Sequence, residues 1–576
     1  MHARNRKSGC QLMIGKHLKA VLALLCVAVA ATPLAAEGEA PARPNILLVV
    51  FEDMSPHIGA YGDPVARTPV LDGFAETSVL YERVFTTAGV CAPSRAALIT
   101  GQYQQSFGAQ HMRTSFGALM PDGSRQPYET VPPPEVKAFP ELLRAAGYYT
   151  TNNGKTDYQF GGHTTGPFTI WDENPAPHPW RGRPAGQPFF GMVNIMETHE
   201  SYLFTDAALE ASDDAMAPRL LRRNRQAFGD YVGTTDPASV VVPPYLPDTP
   251  EVRKDLARLH DNVTFAERQL GTLLRQLDED GLAQNTIVIV TTDHGDGLPR
   301  AKRSVYDSGL MVPLMIRWPD GSGRGTRDGE LVSFVDFGPT ILSMAGVHVP
   351  TWMHGRVFAG DVTTPERGYI YAASDRHDEV EDRYRAVRDW RWKYIRNYQP
   401  DHAFYQHLSF RDILPTMQEL WRLHQSGELT PAQEQYFAAA RPAEELYDTW
   451  SDPHELINLA GDEVHHSELE RLRAAHARFL ARVDDYSTIE ESQMLARMWP
   501  NLEQPATAAP TVREEGGMVV LQTATQGASI GYRVNEGRWL LYTEPFAAPA
   551  GAKVEAKAIR YGFSESGVNS VDMPGR

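Results

Sequence analysis

Short apolar runs constrain the fold of this chain more than any other feature of its sequence. Residues Asn45–Phe51 form one such run, and a continuous apolar run is typical of a strand buried on both faces of a parallel sheet. Similar runs recur at Tyr148–Asn152, Phe189–Met196 and Thr286–Thr292. Between them, Glu135–Ala146 and Glu251–Leu277 carry apolar residues at helical spacing. This alternation predicts an α/β domain with right-handed crossovers.

Two further units are predicted after the α/β domain, which we expect to span residues 43–345. Residues 346–500 combine strand-like and helical patterns, as in a smaller α+β subdomain. The Pro- and Ala-rich stretch Pro500–Pro510 then leads to a tail, 508–576, that predicts a small β-sandwich covering an edge of the larger domain. The predicted strands and helices of both units lie at Gly368–Ala373, Tyr384–Tyr398, Ile413–Gln425, Ser467–Val483, Met518–Thr523, Ile530–Val534, Trp539–Tyr542 and Val554–Ile559.

The first 36 residues have the pattern of an export signal. Five basic residues precede the apolar run Ala20–Ala31, and small residues lie just before Glu37, where a signal peptidase would cut. An uncleaved membrane anchor is the alternative, but the run is short for a bilayer span and ends at Pro33. We therefore predict an exported protein, periplasmic or secreted, with no membrane segment after cleavage of residues 1–36.

The net charge of the chain argues against a nucleic-acid-binding protein. The formal net charge is −17 over 576 residues, so the chain lacks the basic surface that nucleic-acid binding usually requires.

Of the three cysteines, Cys10 and Cys26 lie in the export signal, and the mature protein would retain only Cys91. A single thiol in an oxidising compartment forms no internal disulfide. It is either a buried apolar side chain or a functional group.

Polar residues follow each of the four apolar runs. Glu52-Asp53 comes after the first, Gly154-Lys155 after the second, Glu197-Thr198-His199 after the third and Asp293-His294-Gly295 after the fourth. Ligands of α/β sheets gather beyond the carboxyl ends of the strands. Any one of these segments is an ordinary turn sequence, but together they predict a functional site.

Cys91 begins a predicted helix. The segment Cys91-Ala92-Pro93-Ser94-Arg95 has proline in the first helical turn, and Gly101 follows the last turn. A helix N-terminus favours an anion. Arg95 lies four residues after Cys91 and hence on the same face, where its guanidinium could hold a tetrahedral oxyanion. The pattern predicts a nucleophile beside an anion-binding site.

The segment CAPSRAALITG resembles the signature of the type I sulfatases, and the resemblance extends over about residues 43–500. It implies an alkaline-phosphatase-like fold with a large mixed, mostly parallel sheet. It also implies that a dedicated maturation enzyme oxidises Cys91 to formylglycine. In this family one hydroxyl of the hydrated aldehyde attacks sulfur and the alcohol or amine leaves, after which the second hydroxyl expels sulfate.

The resemblance also assigns roles to individual residues. Metal positions of the family fall on Glu52, Asp53, Asp293 and His294, with Cys91 as the modified fifth group, and these ligands suit Ca²⁺ first and Mg²⁺ second. Lys155 and Lys302 match lysines that contact sulfate and the hydrated aldehyde. His199 matches the general acid that protonates the leaving group.

At three positions the sequence departs from the pattern of the family. Glu52 stands where the family usually has aspartate, and its carboxylate can still ligate at a slightly different reach. His294 offers a nitrogen, a poorer donor for Ca²⁺, so it either touches the metal weakly or orients the diol. The family's GKxH segment reads Gly154-Lys155-Thr156-Asp157 here, and Asp157 receives no catalytic role.

Within the family, the sequence resembles the heparan N-sulfatase (sulfamidase) branch, which includes bacterial carbohydrate sulfatases. The resembling segments are Val242–Pro250 and Ser333–Asp336. They imply a sulfated carbohydrate substrate, in particular a glycosaminoglycan such as heparin or heparan sulfate, cut at an O- or N-sulfate. Candidate sugar or carboxylate contacts are His111, Arg376 and His377.

Two other functions are compatible with parts of this pattern. A phosphatase or phosphodiesterase of the same superfamily would use Ser or Thr with two zinc ions, and the cysteine at position 91 argues against it. A sulfated-glycan-binding protein with unmodified Cys91 would need neither the CxPSR motif nor the metal carboxylates, and both are present. A sulfatase is therefore the favoured interpretation.

Overall fold

The run Asn45–Phe51 forms an inner strand of a seven-stranded sheet, with all seven of its residues buried. It pairs in parallel with Phe189–Ile195 on one side and with Thr286–Thr292 on the other. The structure is a computed structural model that describes residues 43–162 and 165–575. The predicted export signal lies outside the described residues. Within them, no helix combines the length and apolarity needed to cross a bilayer.

The central sheet is mixed and mostly parallel, as the resemblance implies. Met311–Arg317 is the one strand in it that runs antiparallel to its neighbours. Three of its strands were not predicted, because polar residues interrupt Val79–Phe85 and Thr326–Ser333 and because Met311–Arg317 follows a turn-rich segment. The strand order across the sheet is Tyr149–Asn152, Phe189–Ile195, Asn45–Phe51, Thr286–Thr292, Met311–Arg317, Val79–Phe85 and Thr326–Ser333.

Helices cover both faces of this sheet. Ile46, Leu48 and Val50 pack in one apolar cluster with the helix Cys91–Thr100, and the alternate residues Leu47, Val49 and Phe51 pack in a second cluster with the 30-residue helix Pro250–Glu279. Burial on both sides explains why the strand sequence shows no polar alternation. The other helices up to residue 344 are Pro69–Ala75, Phe139–Ala145, Asp206–Ala211, Ala217–Phe228, Asp307–Leu310 and Phe337–Met344.

A second, antiparallel sheet follows in the chain. The predicted strand segment Tyr384–Tyr398 is a hairpin of two strands, because residues 389–391 turn the chain. The four strands in order are Ile370–Ser374, Tyr384–Arg388, Trp392–Asn397 and Glu444–Asp448. The helices of this part are Pro415–Ser426, Pro431–Glu434, His466–Leu480 and Glu491–Met498. Tyr371 stacks on Phe479 with ring centroids 4.0 Å apart, which joins sheet to helix.

Two small antiparallel sheets end the described chain. Val519, Ile530 and Val554 belong to one buried cluster that both sheets share, so these strands form the predicted small β-sandwich. The paired strands are Thr511–Glu515 with Met518–Gln522, and Leu540–Leu541, Ser529–Val534, Lys553–Ile559 and Asn569–Asp572 in the larger sheet. A short hairpin, Ala118–Leu119 with Arg125–Gln126, lies outside these sheets. The α/β fold with its α+β and β-sandwich additions is confirmed.

Candidate active site

The carboxylates predicted to hold a metal meet at the carboxyl ends of two adjacent strands. Phe51 and Thr292 are paired in the parallel ladder, so the residues that follow them emerge side by side. The amide of Asp53 donates to Asp293 Oδ1 at 3.0 Å. Asp53 has φ 43°, a left-handed backbone conformation that costs free energy in a residue with a side chain. Such strain persists where the surroundings hold it, and it clusters at functional sites.

The helix Cys91–Thr100 carries the predicted nucleophile at its first residue. All ten helical residues are buried, and the helix ends at Gly101, whose φ of 67° suits a residue without Cβ. Ser94 Oγ donates to the Asp293 carbonyl at 2.6 Å, which fixes the helix to the end of its neighbouring strand. Cys91 Sγ lies 3.3 Å from His294 Nε2 and 3.8 Å from Asp53 Oδ1.

Arg95 connects the acidic residues from within the same helix. Its Nε donates to Asp293 Oδ2 at 3.1 Å, its Nη1 to Asn194 Oδ1 at 2.8 Å, and its Nη2 to Glu52. The arginine side chain is 1% exposed. Each of these nitrogens thus contacts a protein acceptor, so Arg95 holds two carboxylates in place beside the nucleophile.

Two lysines complete the charge balance. Lys155 pairs with Glu52, and Lys302 Nζ lies 2.5 Å from Asp53 Oδ2 and 3.4 Å from Glu200 Oε1. Burial lowers the pKa of Lys302, but Asp53, Cys91 and Glu200 together outweigh it, so the pKa lies above its usual value. Both lysines are therefore cations pointed at the carboxylates beside Cys91.

The donor set fits one divalent cation. Ligand atoms of Asp53, Cys91, Asp293 and His294 lie within 4.8 Å of one another and are all buried. Burial, together with the nearby Asp293 and Asp53 carboxylates, raises the pKa of Glu52 to about 7 against the attraction of Arg95 and Lys155. Crowded buried carboxylates favour a bound cation, and mainly oxygen donors favour Ca²⁺ or Mg²⁺.

Family comparison agrees with this geometry. The sulfatase family matches residues 44–347, and the family of the N-sulphoglucosamine sulphohydrolase C-terminal part matches residues 300–424. The chain belongs to the sulfatase family. The predicted membership is confirmed, including the likeness to the sulfamidase branch.

Two relatives and one solved structure are similar to this sulfatase over most of their length. It is 41% identical over 553 residues to a protein named ulvan-active sulfatase from Formosa agariphila, covering 92% of each chain. It is 28% identical to human N-sulphoglucosamine sulphohydrolase, covering 77% of this chain and 91% of the relative. A sulfatase structure from Bacteroides thetaiotaomicron matches with TM-score 0.54 at 20% identity, covering 78% of this chain and 94% of that one, which supports the fold.

His199 of this sulfatase has a defined tautomer. The Ser201 amide donates to His199 Nδ1 at 3.2 Å, and Ser201 Oγ lies 2.8 Å from the same nitrogen. Arg223 Nη2 donates to Ser201 Oγ at 2.7 Å, which leaves the serine proton directed to the ring. Because Nδ1 accepts, Nε2 carries the ring proton. Burial lowers the pKa of His199, so the ring is neutral at pH 7 and its Nε2–H can be donated.

The three candidate substrate residues lie in the second sheet region. Arg376 donates to Glu491 from both Nε and Nη2, and its backbone amide lies 3.3 Å from His111 Nδ1. His377 Nε2 lies 3.3 Å from Ser374 Oγ, and the ring lines a small cavity with Lys302. All three residues are buried. Their contact with substrate stays a prediction.

Two residues at the site, Glu200 and Asn194, were not predicted from the sequence. Glu200 accepts from Arg303 Nη1 and Nη2 at 2.8 and 2.7 Å, and its amide donates to Asp53 Oδ2. Asn194 accepts from Arg95 inside a strand that is otherwise apolar. That lone polar residue was the available signal for Asn194, and adjacency to His199 was the signal for Glu200.

Proposed function

We propose that this sulfatase removes sulfate from an anionic carbohydrate chain, with residue 91 as formylglycine and with one divalent cation. A cleft of about 600 Å³ beside His199 is the observation that carries this proposal. Its charged lining residues are Arg113, Lys155, Asp157, Arg219 and Arg223. The cleft thus has four cationic side chains and one acidic side chain. This local positive charge suits a polyanionic substrate, although the net charge of the whole protein is negative.

The names of the relatives narrow the substrates that we propose. One relative is named for ulvan and the other for N-sulphoglucosamine. We infer a sulfated polysaccharide or its oligosaccharides as substrate, with glycosaminoglycans such as heparan sulfate and ulvan as the two classes to compare. Both O-sulfate and N-sulfate are candidate bonds.

Each group has one task in the proposed reaction. Hydrated formylglycine supplies the nucleophilic oxygen, and bound Ca²⁺, or Mg²⁺ as the second choice, supplies positive charge beside the sulfate oxygens. Lys155 and Lys302 orient the sulfate group and offset its charge. His199 Nε2 gives its proton to the sugar oxygen or nitrogen as the bond from that atom to sulfur breaks.

The test combines mass spectrometry with sulfate release. The protein is produced with a formylglycine-generating enzyme, and the peptide containing Cys91 is analysed for the aldehyde. Released sulfate is then measured from ulvan oligosaccharides and a heparin disaccharide panel, with Cys91→Ala as control. Aldehyde together with release from either class supports the proposal. Complete conversion with no release from any sulfated carbohydrate contradicts it.

We also propose the processing and organisation of the chain. Export with cleavage before Glu37 is supported by the N-terminal sequence pattern. The proposed units are the catalytic domain, 43–345, the α+β subdomain, 346–500, and the β-sandwich, 508–576. N-terminal sequencing of protein recovered from the periplasm and the medium tests the cleavage site, and an intact N-terminus would contradict it.

A further inference from the structure

A second cluster of histidines and carboxylates lies apart from Cys91. His57 Nδ1 is 2.8 Å from Asp63 Oδ2, and its Nε2 is 2.7 Å from Asp296 Oδ2. His260 Nε2 approaches the same Asp63 Oδ2 at 3.2 Å, and its Nδ1 lies 2.9 Å from the Leu256 carbonyl. The two imidazole rings have centroids 5.0 Å apart.

The contacts of His57 and His260 need more protons than two neutral imidazoles carry. Both nitrogens of His57 face carboxylate oxygens, and each of these two hydrogen bonds needs one proton. His260 must donate from Nδ1 to a carbonyl and from Nε2 to Asp63, which again requires two protons. Asp63 Oδ1 already accepts from the amides of Val65 and Ala66. Hydrogen bonds alone therefore need four protons, two more than two neutral imidazoles carry.

One divalent cation can replace these two protons without changing the net charge. His57 would then ligate through Nδ1 and donate from Nε2 to Asp296, while His260 would ligate through Nε2 and donate from Nδ1 to Leu256. Ligating histidines characteristically donate their other N–H to a carboxylate or a backbone carbonyl. Both histidines already have such a partner on the side away from Asp63.

We propose that His57, Asp63 and His260 form a second metal site, which binds Zn²⁺ or a similar divalent transition-metal ion. Their ligand atoms lie within 4.8 Å of one another. Two imidazoles and one carboxylate are a donor set for such ions rather than for Ca²⁺. The site is distinct from the carboxylate cluster at Cys91 and needs no formylglycine.

The surroundings of the cluster allow entry of the ion and suggest its role. A cavity of about 370 Å³ borders the cluster. Its lining includes His57, Asp63, His260 and Asp296, together with Tyr245 and Leu298. Asp296 follows Asp293 by three residues, and its Oδ1 accepts from the amide of Ser55, two residues after Asp53. The ion would thus tie the long helix, through His260, to the two segments that carry the sulfate-site carboxylates.

Metal content of the protein without the predicted export signal, residues 1–36, tests the proposal. The parent is this chain with Cys91→Ala, which removes its remaining thiol, and millimolar Ca²⁺ is present to occupy the sulfate site. After incubation with Zn²⁺ and gel filtration, we expect about one zinc per chain. His57→Gln and His260→Gln should each lower this ratio at least about fivefold. His466→Gln, which alters an exposed histidine beside Glu470, and Asp293→Asn should retain it.

Cobalt gives a second measurement that depends on no substitution within the His57, Asp63 and His260 cluster. Co²⁺ added to the parent should produce visible absorption bands, and one equivalent of Zn²⁺ should remove them. Absence of both the bands and stoichiometric zinc would overturn the proposal and leave a cluster that hydrogen bonds alone hold together. Zinc retained by a folded His260→Gln variant, or lost on Asp293→Asn, would also overturn it, because the ion would then lie elsewhere.

Discussion

At the scale of single residues, His199 combines a fixed tautomer with a lowered pKa. Two donors from Ser201 hold its Nδ1, so the proton on Nε2 is available to a leaving group. A neutral imidazole is a weaker acid than imidazolium, but its Nε2–H stabilises the negative charge that develops on the departing oxygen.

His199→Gln should slow hydrolysis in proportion to the need for protonation. We expect kcat on a carbohydrate sulfate to fall about 10²–10⁴-fold, and kcat on 4-nitrophenyl sulfate to fall less than about tenfold, because nitrophenolate leaves without a proton. Steady-state kinetics on the two substrates measure the ratio. Equal losses on both would show that His199 acts in binding or folding instead.

At the scale of elements, the helix Ala217–Phe228 supplies cations to the cleft. Arg219 is exposed and lines the cleft, whereas Arg223 is half-buried against Tyr202, with its guanidinium 3.9 Å from the ring centroid. Arg222 lies on the same helix but does not line the cleft. The helix therefore offers a matched pair of arginines for testing electrostatic recognition.

Arg219→Ala should raise KM for a polyanionic oligosaccharide about three- to tenfold and leave kcat nearly unchanged, since only a rim charge is lost. The same variant should leave kinetics on 4-nitrophenyl sulfate unaltered. Arg222→Ala is the control, with no effect on either substrate. KM measured at low and high salt checks the electrostatic origin, and an equal change in the control would argue against a role of the cleft.

The helix Glu491–Met498 is attached by a buried ion pair that predicts a pH dependence. Burial raises the pKa of Glu491, but His111 in its protonated form and Arg376 outweigh it and bring the pKa to about 2. Burial lowers the pKa of His111 itself to about 4, so this histidine is charged only in acid. In the unfolded chain the pKa of this carboxyl lies near its ordinary value of 4.5. Because the folded pKa is the lower one, its stabilisation is complete above pH 4.5 and is lost as the pH falls toward 2.

Glu491→Gln should remove this pH-dependent part of the stability. At neutral pH we expect a loss of about 3–5 kcal/mol, because Arg376 stays buried without its charged partner. The loss should shrink as the pH falls from 4.5 to 2. Thermal-unfolding midpoints of both proteins across this range test it, and parallel pH curves would contradict the assigned pKa.

At the scale of the whole molecule, the β-sandwich is joined to the catalytic domain through buried contacts. Tyr561 is fully buried, donates to Glu141 Oε2 at 2.6 Å and stacks on Phe160 with ring centroids 4.8 Å apart. Lys137 Nζ donates to the Gly527 carbonyl at 2.7 Å. These contacts favour a structural role for the sandwich over that of a freely attached module.

Tyr561→Ala should therefore destabilise the catalytic domain as well as the sandwich. We expect a loss of about 3–5 kcal/mol from the cavity that replaces the ring. Tyr532, which stacks on Phe546 inside the sandwich, provides the control variant Tyr532→Ala. Activity followed during thermal unfolding should fail earlier in Tyr561→Ala than in the control. Equal inactivation temperatures for Tyr561→Ala and the unmodified protein would indicate an independent module.

The sequence by itself determined the strand at Asn45–Phe51, the helix beginning at Cys91 and the polar residues at the strand ends. These features are local, because side-chain periodicity and capping residues act over one element. Even the meeting of Asp53 with Asp293 follows from parallel strands ending at one edge. Interrupted strands such as Val79–Phe85 were not predictable, since their neighbours decide their burial.

Only the tertiary structure decided which charge faces which partner. The place of Arg95 beside Cys91 was predicted from their spacing, but its contacts with Glu52, Asp293 and Asn194, which lie up to 198 residues away in sequence, were not. His57 and His260 carry no sequence pattern that links them. Such contacts depend on how distant segments pack, and packing is set by the burial of the whole sheet and its helices rather than by any local periodicity.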